Sequence, residues 1–123
     1  MRVLLVDDEQ ELVVTLAERL SLRGIDADWA ATAEEALEKV KDHTYDVAVL
    51  DVKIPRMSGL DLKRHIEKIQ PGIRFIFMTG HGSERDFEIG AAEAGEEYYL
   101  VKPVKLELLI AKMNELMKTE GGQ

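Results

Sequence analysis

Polar residues follow four short apolar stretches of the sequence. Asp7 and Asp8 come after VLLV, Asp51 comes after VAVL, Thr79 ends IRFIFMT, and Lys102 comes after YLV. An aspartate can accept a phosphoryl group covalently, while hydroxyl and ammonium groups can bind the oxygens of that group. Three carboxylates placed close together repel one another, and cations relieve the repulsion. Lys102 supplies one cation, and Mg²⁺, which prefers carboxylate and phosphate oxygens, is suited to be the second.

These residues can act together only if the fold brings the ends of the strands to one place. The spacing of apolar residues predicts five strands in alternation with five helices. The predicted strands are Arg2–Val6, Ile25–Ala30, Asp46–Leu50, Ile73–Thr79 and Tyr98–Val101. The predicted helices are Glu9–Leu22, a segment from the cap Thr32 to Lys41, Leu60–Ile69, Ser83–Ala94 and Lys105–Lys118.

This alternation favours an α/β fold in which helices cover both faces of a parallel sheet. The near-continuous apolar runs Leu4–Val6, Val47–Leu50 and Ile76–Met78 agree, because inner parallel strands are buried on both sides. We therefore predict a doubly wound, five-stranded parallel sheet in the flavodoxin-like order 2-1-3-4-5. In that order the ends of strands one and three are neighbours, at the position where such sheets bind ligands.

The composition disfavours several other classes of protein. The chain has 123 residues, no cysteine and a formal net charge of −8. The lack of cysteine excludes a disulfide framework and fits a reducing cytoplasm. The acidic charge disfavours nucleic acid and anionic membranes as partners. No stretch approaches the roughly 20 apolar residues of a membrane span, and MRVLLVDDE does not read as a signal peptide.

Four motifs at the strand ends carry a resemblance to a known family. They are VLLVDDE at residues 3–9, DVKIPRMSGLDL at 51–62, MTGHGS at 78–83 and YLVKP at 99–103. Each motif alone is modest, but four in register, each at a strand end, are specific. The sequence resembles the receiver domain of two-component response regulators over nearly its whole length.

The resemblance implies an acceptor and a metal site. Asp51 matches the aspartate that accepts the phosphoryl group. Asp8 matches the acid that binds Mg²⁺ directly, and Asp7 matches the acid that acts nearby, often through water. Lys53 matches the residue whose backbone carbonyl binds the metal.

The resemblance also implies residues that bind the phosphoryl group and respond to it. Thr79 and Lys102 match the residues that bind its oxygens, and Tyr99 matches the aromatic switch residue. Pro103 matches a proline that follows a cis peptide bond. The stretch from Thr79 to Lys102 is one residue longer than is usual, near FEIGAAEAG and Gly90, so counting from Thr79 would instead select Tyr98.

The implied function is a phosphorylation-dependent signalling switch and not that of an enzyme, apart from self-catalysed phosphotransfer and slow dephosphorylation. A sensor histidine kinase or phosphotransfer protein would donate the phosphoryl group. The face formed by the fourth helix, fifth strand and fifth helix would then change its contacts with a downstream protein or an output domain absent from this chain. We expect a bacterial, cytoplasmic receiver domain over residues 1–119 and a short tail at 120–123.

Three other functions are considered. A haloacid-dehalogenase type phosphatase also uses an aspartate after a strand, but it normally has a second aspartate two residues later, where this chain has Lys53. A docking module that is not phosphorylated typically lacks one of the acids or the lysine, and this chain keeps them. A flavin site requires a phosphate-binding loop after the first strand, where this chain has acids that would repel a phosphate.

Some of these residues also have simpler interpretations. The three acids Asp7, Asp8 and Glu9 are expected to cap the first helix and favour its positive end, whatever else they do. Asp46 and Asp61 are interpreted as surface acids. His81, two residues after Thr79, is interpreted as a solvated loop residue.

Overall fold

A computed structural model of the protein describes residues 1–80 and 98–121, with side chains to residue 118. The predicted fourth helix, Ser83–Ala94, lies outside the described residues, as does His81. Among the described residues, no helix has the length and apolar character needed to span a bilayer.

The described elements follow the predicted alternation and differ from it only at their ends. The strands are β1 (Arg2–Val6), β2 (Asp26–Ala30), β3 (Val47–Asp51), β4 (Arg74–Thr79) and β5 (Tyr99–Val101). The described helices are α1 (Gln10–Leu22), α2 (Ala33–Asp42), α3 (Gly59–Ile69) and the C-terminal helix (Leu106–Gly121).

The five strands form one parallel sheet in the order β2-β1-β3-β4-β5. This confirms the predicted flavodoxin-like α/β fold. Val6 lies opposite Leu50, and Asp51 lies opposite Met78. The carboxyl ends of β1, β3 and β4 therefore meet at one edge of the sheet.

Two apolar cores hold the helices against the sheet, one on each face. Alternate residues of an inner strand enter opposite cores, because successive side chains of a strand point to opposite faces. Leu4 and Leu50 pack in the core that contains residues of α2 and α3. Leu5 and Val49 pack in the core that contains residues of α1 and the C-terminal helix. The inner strands are apolar on both faces for this reason.

Local hydrogen bonds define the ends of α1 and α2. The Thr32 hydroxyl accepts the N–H of Glu35 at 3.1 Å, which confirms the predicted cap of α2. Gly24, two residues after the end of α1, has a φ of 80°, a conformation that glycine adopts without strain. At the start of α1, Asp7 Oδ1 accepts the N–H of the N-cap residue Glu9 at 2.9 Å, while Glu9 makes no side-chain capping bond.

Asp46 has a structural role that its interpretation as a surface acid missed. Its carboxylate Oδ2 accepts the backbone N–H of Arg2 at 2.8 Å, and its own N–H donates to the Arg2 carbonyl at 2.8 Å. Asp46 therefore joins the beginnings of β1 and β3, at the edge of the sheet opposite to Asp51.

Two leucines of α1 allow a matched test of the apolar core. Leu20 is fully buried, whereas Leu22 is 87% exposed. We expect Leu20→Ala to lower the free energy of unfolding by about 2–5 kcal/mol, because it removes buried apolar volume. We expect Leu22→Ala to change it by no more than about 0.5 kcal/mol. Urea denaturation measures both values, and similar losses in the two variants would contradict the described packing of α1.

Candidate functional site

The predicted site residues meet at the carboxyl edge of the sheet. Asp7 follows β1, while Asp51 and Thr79 are the last residues of β3 and β4. Lys102 follows β5, and its backbone N–H donates to the Thr79 carbonyl at 2.8 Å. The order of the sheet thus brings together four residues that are distant in the sequence.

Three carboxylates form a group that could hold a metal ion. Asp7, Asp8 and Asp51 each offer an oxygen, and these oxygens lie within 4.8 Å of one another. Asp7 is completely buried and Asp51 is 5% exposed, whereas Asp8 is exposed. Asp51 lies at the ligand-binding edge of the sheet, as the predicted strand order implies, but it is buried there. A hard divalent cation fits this donor set, which is made of carboxylate oxygens with one side open to solvent.

The Lys102 ammonium is the positive charge at the centre of this group. Its Nζ lies 2.6 Å from Asp7 Oδ2, 3.0 Å from Asp51 Oδ2 and 3.2 Å from Glu9 Oε1. Its side chain is only 11% exposed. A buried charge needs such partners, because its desolvation is otherwise costly. Lys102 thus provides the charge compensation expected from the sequence.

The environment raises the pKa of two groups in the site. Burial raises the pKa of Asp51, and the nearby Asp7 charge adds to this, although hydrogen bonds from Lys102 and from the Lys53 N–H act in the opposite direction. Burial lowers the pKa of Lys102, but its bonds to Asp7 and Asp51 outweigh burial and raise the pKa overall. Lys102 therefore remains a cation at neutral pH.

The backbone of the turn after β3 donates a hydrogen bond to the Asp51 carboxylate. The Lys53 N–H donates to Asp51 Oδ1 at 3.1 Å, and the Gly59 N–H donates to the Val52 carbonyl at 2.8 Å. Gly59 packs so closely that a Cβ there would overlap the Asp51 carbonyl oxygen. A residue without a side chain is therefore required at the start of α3, a constraint that the sequence interpretation did not identify.

Glu9 is a second site residue that sequence reasoning missed. It was expected only at the start of the first helix, yet its carboxylate contacts Lys102. The run of three acids in DDE was a signal for it, since the third acid lies at the same turn as the first two. The direction of its side chain could not be deduced from that run.

The structure separates the two tyrosines that compete for the switch position. Tyr99 lies opposite Phe77 in the sheet and is buried in the same core as Phe77. Since side chains two residues apart share a face of a strand, Thr79 and Phe77 are on one face with Tyr99. Tyr98 instead packs against the other core, with Lys112 Nζ 6.0 Å from its ring centre. The placement favours Tyr99.

The peptide bond between Lys102 and Pro103 is cis. This agrees with the match of Pro103 to a proline that follows a cis bond.

The family model described as "Response regulator receiver domain" matches residues 3–114. The chain belongs to this family. It is 38% identical over 122 residues to the two-component response regulator PhoP of Pseudomonas aeruginosa, covering 99% of this chain and 54% of that protein. This receiver domain therefore spans about half the length of the relative.

Solved structures show the same fold. A CheY-like receiver domain protein from Methanospirillum hungatei has a TM-score of 0.85 and 32% identity, with 99% of this chain and 98% of that one covered. A response regulator from Burkholderia pseudomallei, solved with a phosphorylated aspartic acid, calcium ion and citrate, has a TM-score of 0.79 and 28% identity, covering 97% of this chain and 72% of that one.

The close approach of Gly59 to Asp51 predicts a cost for any side chain there. We expect Gly59→Ala to lower the free energy of unfolding by about 1–3 kcal/mol, because backbone on both sides must shift. Gly72→Ala is the matched control, since a Cβ at Gly72 meets no atom within 4 Å. Its free energy of unfolding should stay within about 1 kcal/mol of wild type. Thermal and urea unfolding measure both variants, and equal stability of the two would contradict the described contact.

Because the pKa of Asp51 is raised, ionising this carboxyl group should lower the stability of the fold, and the effect should depend on pH. A carboxyl group whose pKa is higher in the folded state stabilises the fold below its unfolded pKa, and this contribution is lost as pH rises through the folded pKa. With divalent cations chelated, Asp51→Asn should therefore raise the unfolding temperature at pH 7, because asparagine carries no charge to desolvate.

The gain from Asp51→Asn should shrink as the pH falls below the pKa of an unfolded aspartate, where the wild-type carboxyl is also neutral. Asp61→Asn serves as the control, because Asp61 is an exposed acid on α3. A lower unfolding temperature for Asp51→Asn than for wild type at pH 7 would contradict the account of the Asp51 environment.

Proposed function

We propose that this receiver domain is a phosphorylation-dependent switch whose acceptor is Asp51. The observation that carries the proposal is the position of the Asp51 carboxylate, buried at the end of β3 between the acid group and Lys102. The donor would be a sensor histidine kinase or a phosphotransfer protein. The family membership supports a signalling role, in which the domain would catalyse only its own phosphorylation and slow dephosphorylation.

In the transfer step, an oxygen of Asp51 attacks the phosphorus of a phosphohistidine. The phosphorus–nitrogen bond breaks as the phosphorus–oxygen bond forms, and the departing histidine nitrogen keeps the electron pair and takes a proton from solvent. The Lys102 ammonium, 3.0 Å from Asp51 Oδ2, would pair with an oxygen of the arriving group. Thr79, buried at the end of β4, would donate its hydroxyl hydrogen to another.

Mg²⁺ is the proposed cofactor, held by the carboxylates of Asp7, Asp8 and Asp51 and by the Lys53 backbone carbonyl. When bound, it supplies positive charge to the phosphoryl oxygens during the transfer. The closely spaced carboxylates support this assignment. The structure of the Burkholderia pseudomallei relative contains a phosphorylated aspartic acid and a calcium ion, which supports an acceptor aspartate in this fold.

The response would pass from Thr79 to Tyr99 and then to a protein-binding face. Thr79 and Tyr99 lie on the same face of neighbouring strands. Val101 of β5 and Leu108 of the C-terminal helix are exposed apolar residues on the described part of the proposed face. The partner bound there would be a downstream protein or an output domain, with residues 1–119 acting as the cytoplasmic receiver unit.

Replacing the acceptor should abolish phosphorylation without unfolding the protein. We expect no incorporation of phosphate from acetyl phosphate into Asp51→Asn in the presence of Mg²⁺. The reason is that an amide oxygen is a much poorer nucleophile than a carboxylate oxygen and cannot form an acyl phosphate. Asp61→Asn, which changes an exposed acid on α3, should be labelled like wild type. Circular dichroism checks folding, and undiminished labelling of folded Asp51→Asn would place the acceptor at another residue.

A further inference from the structure

Glu9 differs from the other two acids that contact Lys102. Asp7 and Asp51 are buried and belong to the group whose oxygens could share a metal ion. Glu9 is outside that group among the described residues, and its side chain is 66% exposed. Its Oε1 nevertheless lies only 3.2 Å from Lys102 Nζ. A metal would therefore use two of these partners of Lys102, Asp7 and Asp51, and would leave the third, Glu9, available to the ammonium.

The two buried partners cannot serve Lys102 and a divalent cation equally well. Lys102 contacts the Oδ2 atoms of Asp7 and Asp51, while their Oδ1 atoms accept the N–H groups of Glu9 and Lys53. A cation entering the acid group would repel the ammonium and would compete with it for the carboxylate oxygens of Asp7 and Asp51. Because lysine has a flexible four-carbon stem, its head group can move while the backbone remains in place.

Glu9 is fixed where a displaced ammonium could be received. Its backbone N–H donates to Asp7 Oδ1, and it is the N-cap residue of α1, so its backbone is anchored to the site itself. Its carboxylate already contacts Lys102 from the solvent side. In the metal-free site Lys102 contacts three carboxylates, and of these three Glu9 is the one that a metal would leave to it, so loss of Glu9 should affect cation binding more than folding.

We propose that Glu9 is a positioning residue that receives the Lys102 ammonium when a divalent cation binds the acid group. The proposal rests on the proposed function of the site, because it assumes that Mg²⁺ binds there. Glu9 keeps Lys102 at the edge of the site with its charge compensated, and so lowers the cost of displacing it from Asp7 and Asp51. Lys102 then remains within reach of an arriving phosphoryl group.

Mg²⁺ affinity measured by isothermal titration calorimetry tests the proposal. Glu9→Gln should weaken Mg²⁺ binding roughly two- to fivefold, the effect expected from loss of an exposed ion pair. Glu9→Asp should also weaken binding, because it keeps the charge but shortens the reach to Lys102. Glu11→Gln, which removes an acidic charge from the first turn of α1, should bind Mg²⁺ about as wild type does.

A double-mutant cycle separates action through Lys102 from a direct effect of Glu9 on the ion. In the Lys102→Met background, Glu9→Gln should no longer weaken Mg²⁺ binding, because there is no ammonium to receive. An equal loss of affinity in both backgrounds would mean that Glu9 acts directly on the ion, and it would overturn the proposal. Wild-type affinity in both Glu9→Gln and Glu9→Asp would overturn it too.

Lysine acylation gives a second readout that does not depend on affinity. At saturating Mg²⁺, an amine-selective reagent followed by peptide mass spectrometry should modify Lys102 faster in Glu9→Gln than in wild type, because its ammonium has lost its remaining partner. Equal rates would count against the proposal. If wild type itself binds no Mg²⁺, the proposed cofactor is wrong and this inference fails with it. If wild type binds Mg²⁺ but Glu9 and Lys102 are not coupled, only the inference fails.

Discussion

The ion pairs of Lys102 with Asp7 and Asp51 are the constraint on which the site depends. Two carboxylates that are almost completely buried lie close together, and their charges are tolerable only beside a cation. The strand order makes that cation available. Lys102 follows β5, which lies next to β4, and its side chain extends past the end of β4 to reach Asp51 at the end of β3. The bond from the Lys102 N–H to the Thr79 carbonyl anchors this arrangement.

Under the proposed function, the same constraint would let the site respond to a divalent cation and to a phosphoryl group. Lys102 compensates the charges of the buried acids Asp7 and Asp51, and a bound metal or phosphoryl group would change which anion it pairs with. Burial raises the pKa of Asp51, so the free carboxylate is a higher-energy group that gains from any new positive partner. At Gly59 the backbone of α3 packs closely against the Asp51 carbonyl, which leaves no room for a side chain beside the proposed acceptor.

The strand-end residues could be predicted because topology alone determines their placement. Once the order 2-1-3-4-5 is deduced, Asp7, Asp51, Thr79 and Lys102 must lie near one edge of the sheet. The features that could not be predicted depend on the register of the strands and on the directions of the side chains. The faces on which Tyr98 and Tyr99 lie followed only from the register that places Tyr99 opposite Phe77, since a shift of one residue exchanges the faces of a strand.

Side chains that bridge distant segments could not be deduced from the sequence. The contact of Glu9 with Lys102 depends on two flexible side chains, and the bonds of Asp46 to Arg2 depend on how the first and third strands begin. The need for glycine at position 59 depends on how closely α3 approaches β3. The predicted fourth helix and the extra residue near Gly90 lie outside the described part of the chain and stay predictions.

The most direct test of this account is to locate the phosphoryl group chemically in the unmodified sequence. Protein phosphorylated by acetyl phosphate with Mg²⁺ is treated with borohydride, which reduces an aspartyl phosphate to homoserine, and the modified residue is then identified by peptide mass spectrometry. The account predicts homoserine at position 51 alone, because Asp51 is the carboxylate held between the acid group and Lys102. Homoserine at position 7 or 8, or its absence from position 51 in protein that had been phosphorylated, would contradict it.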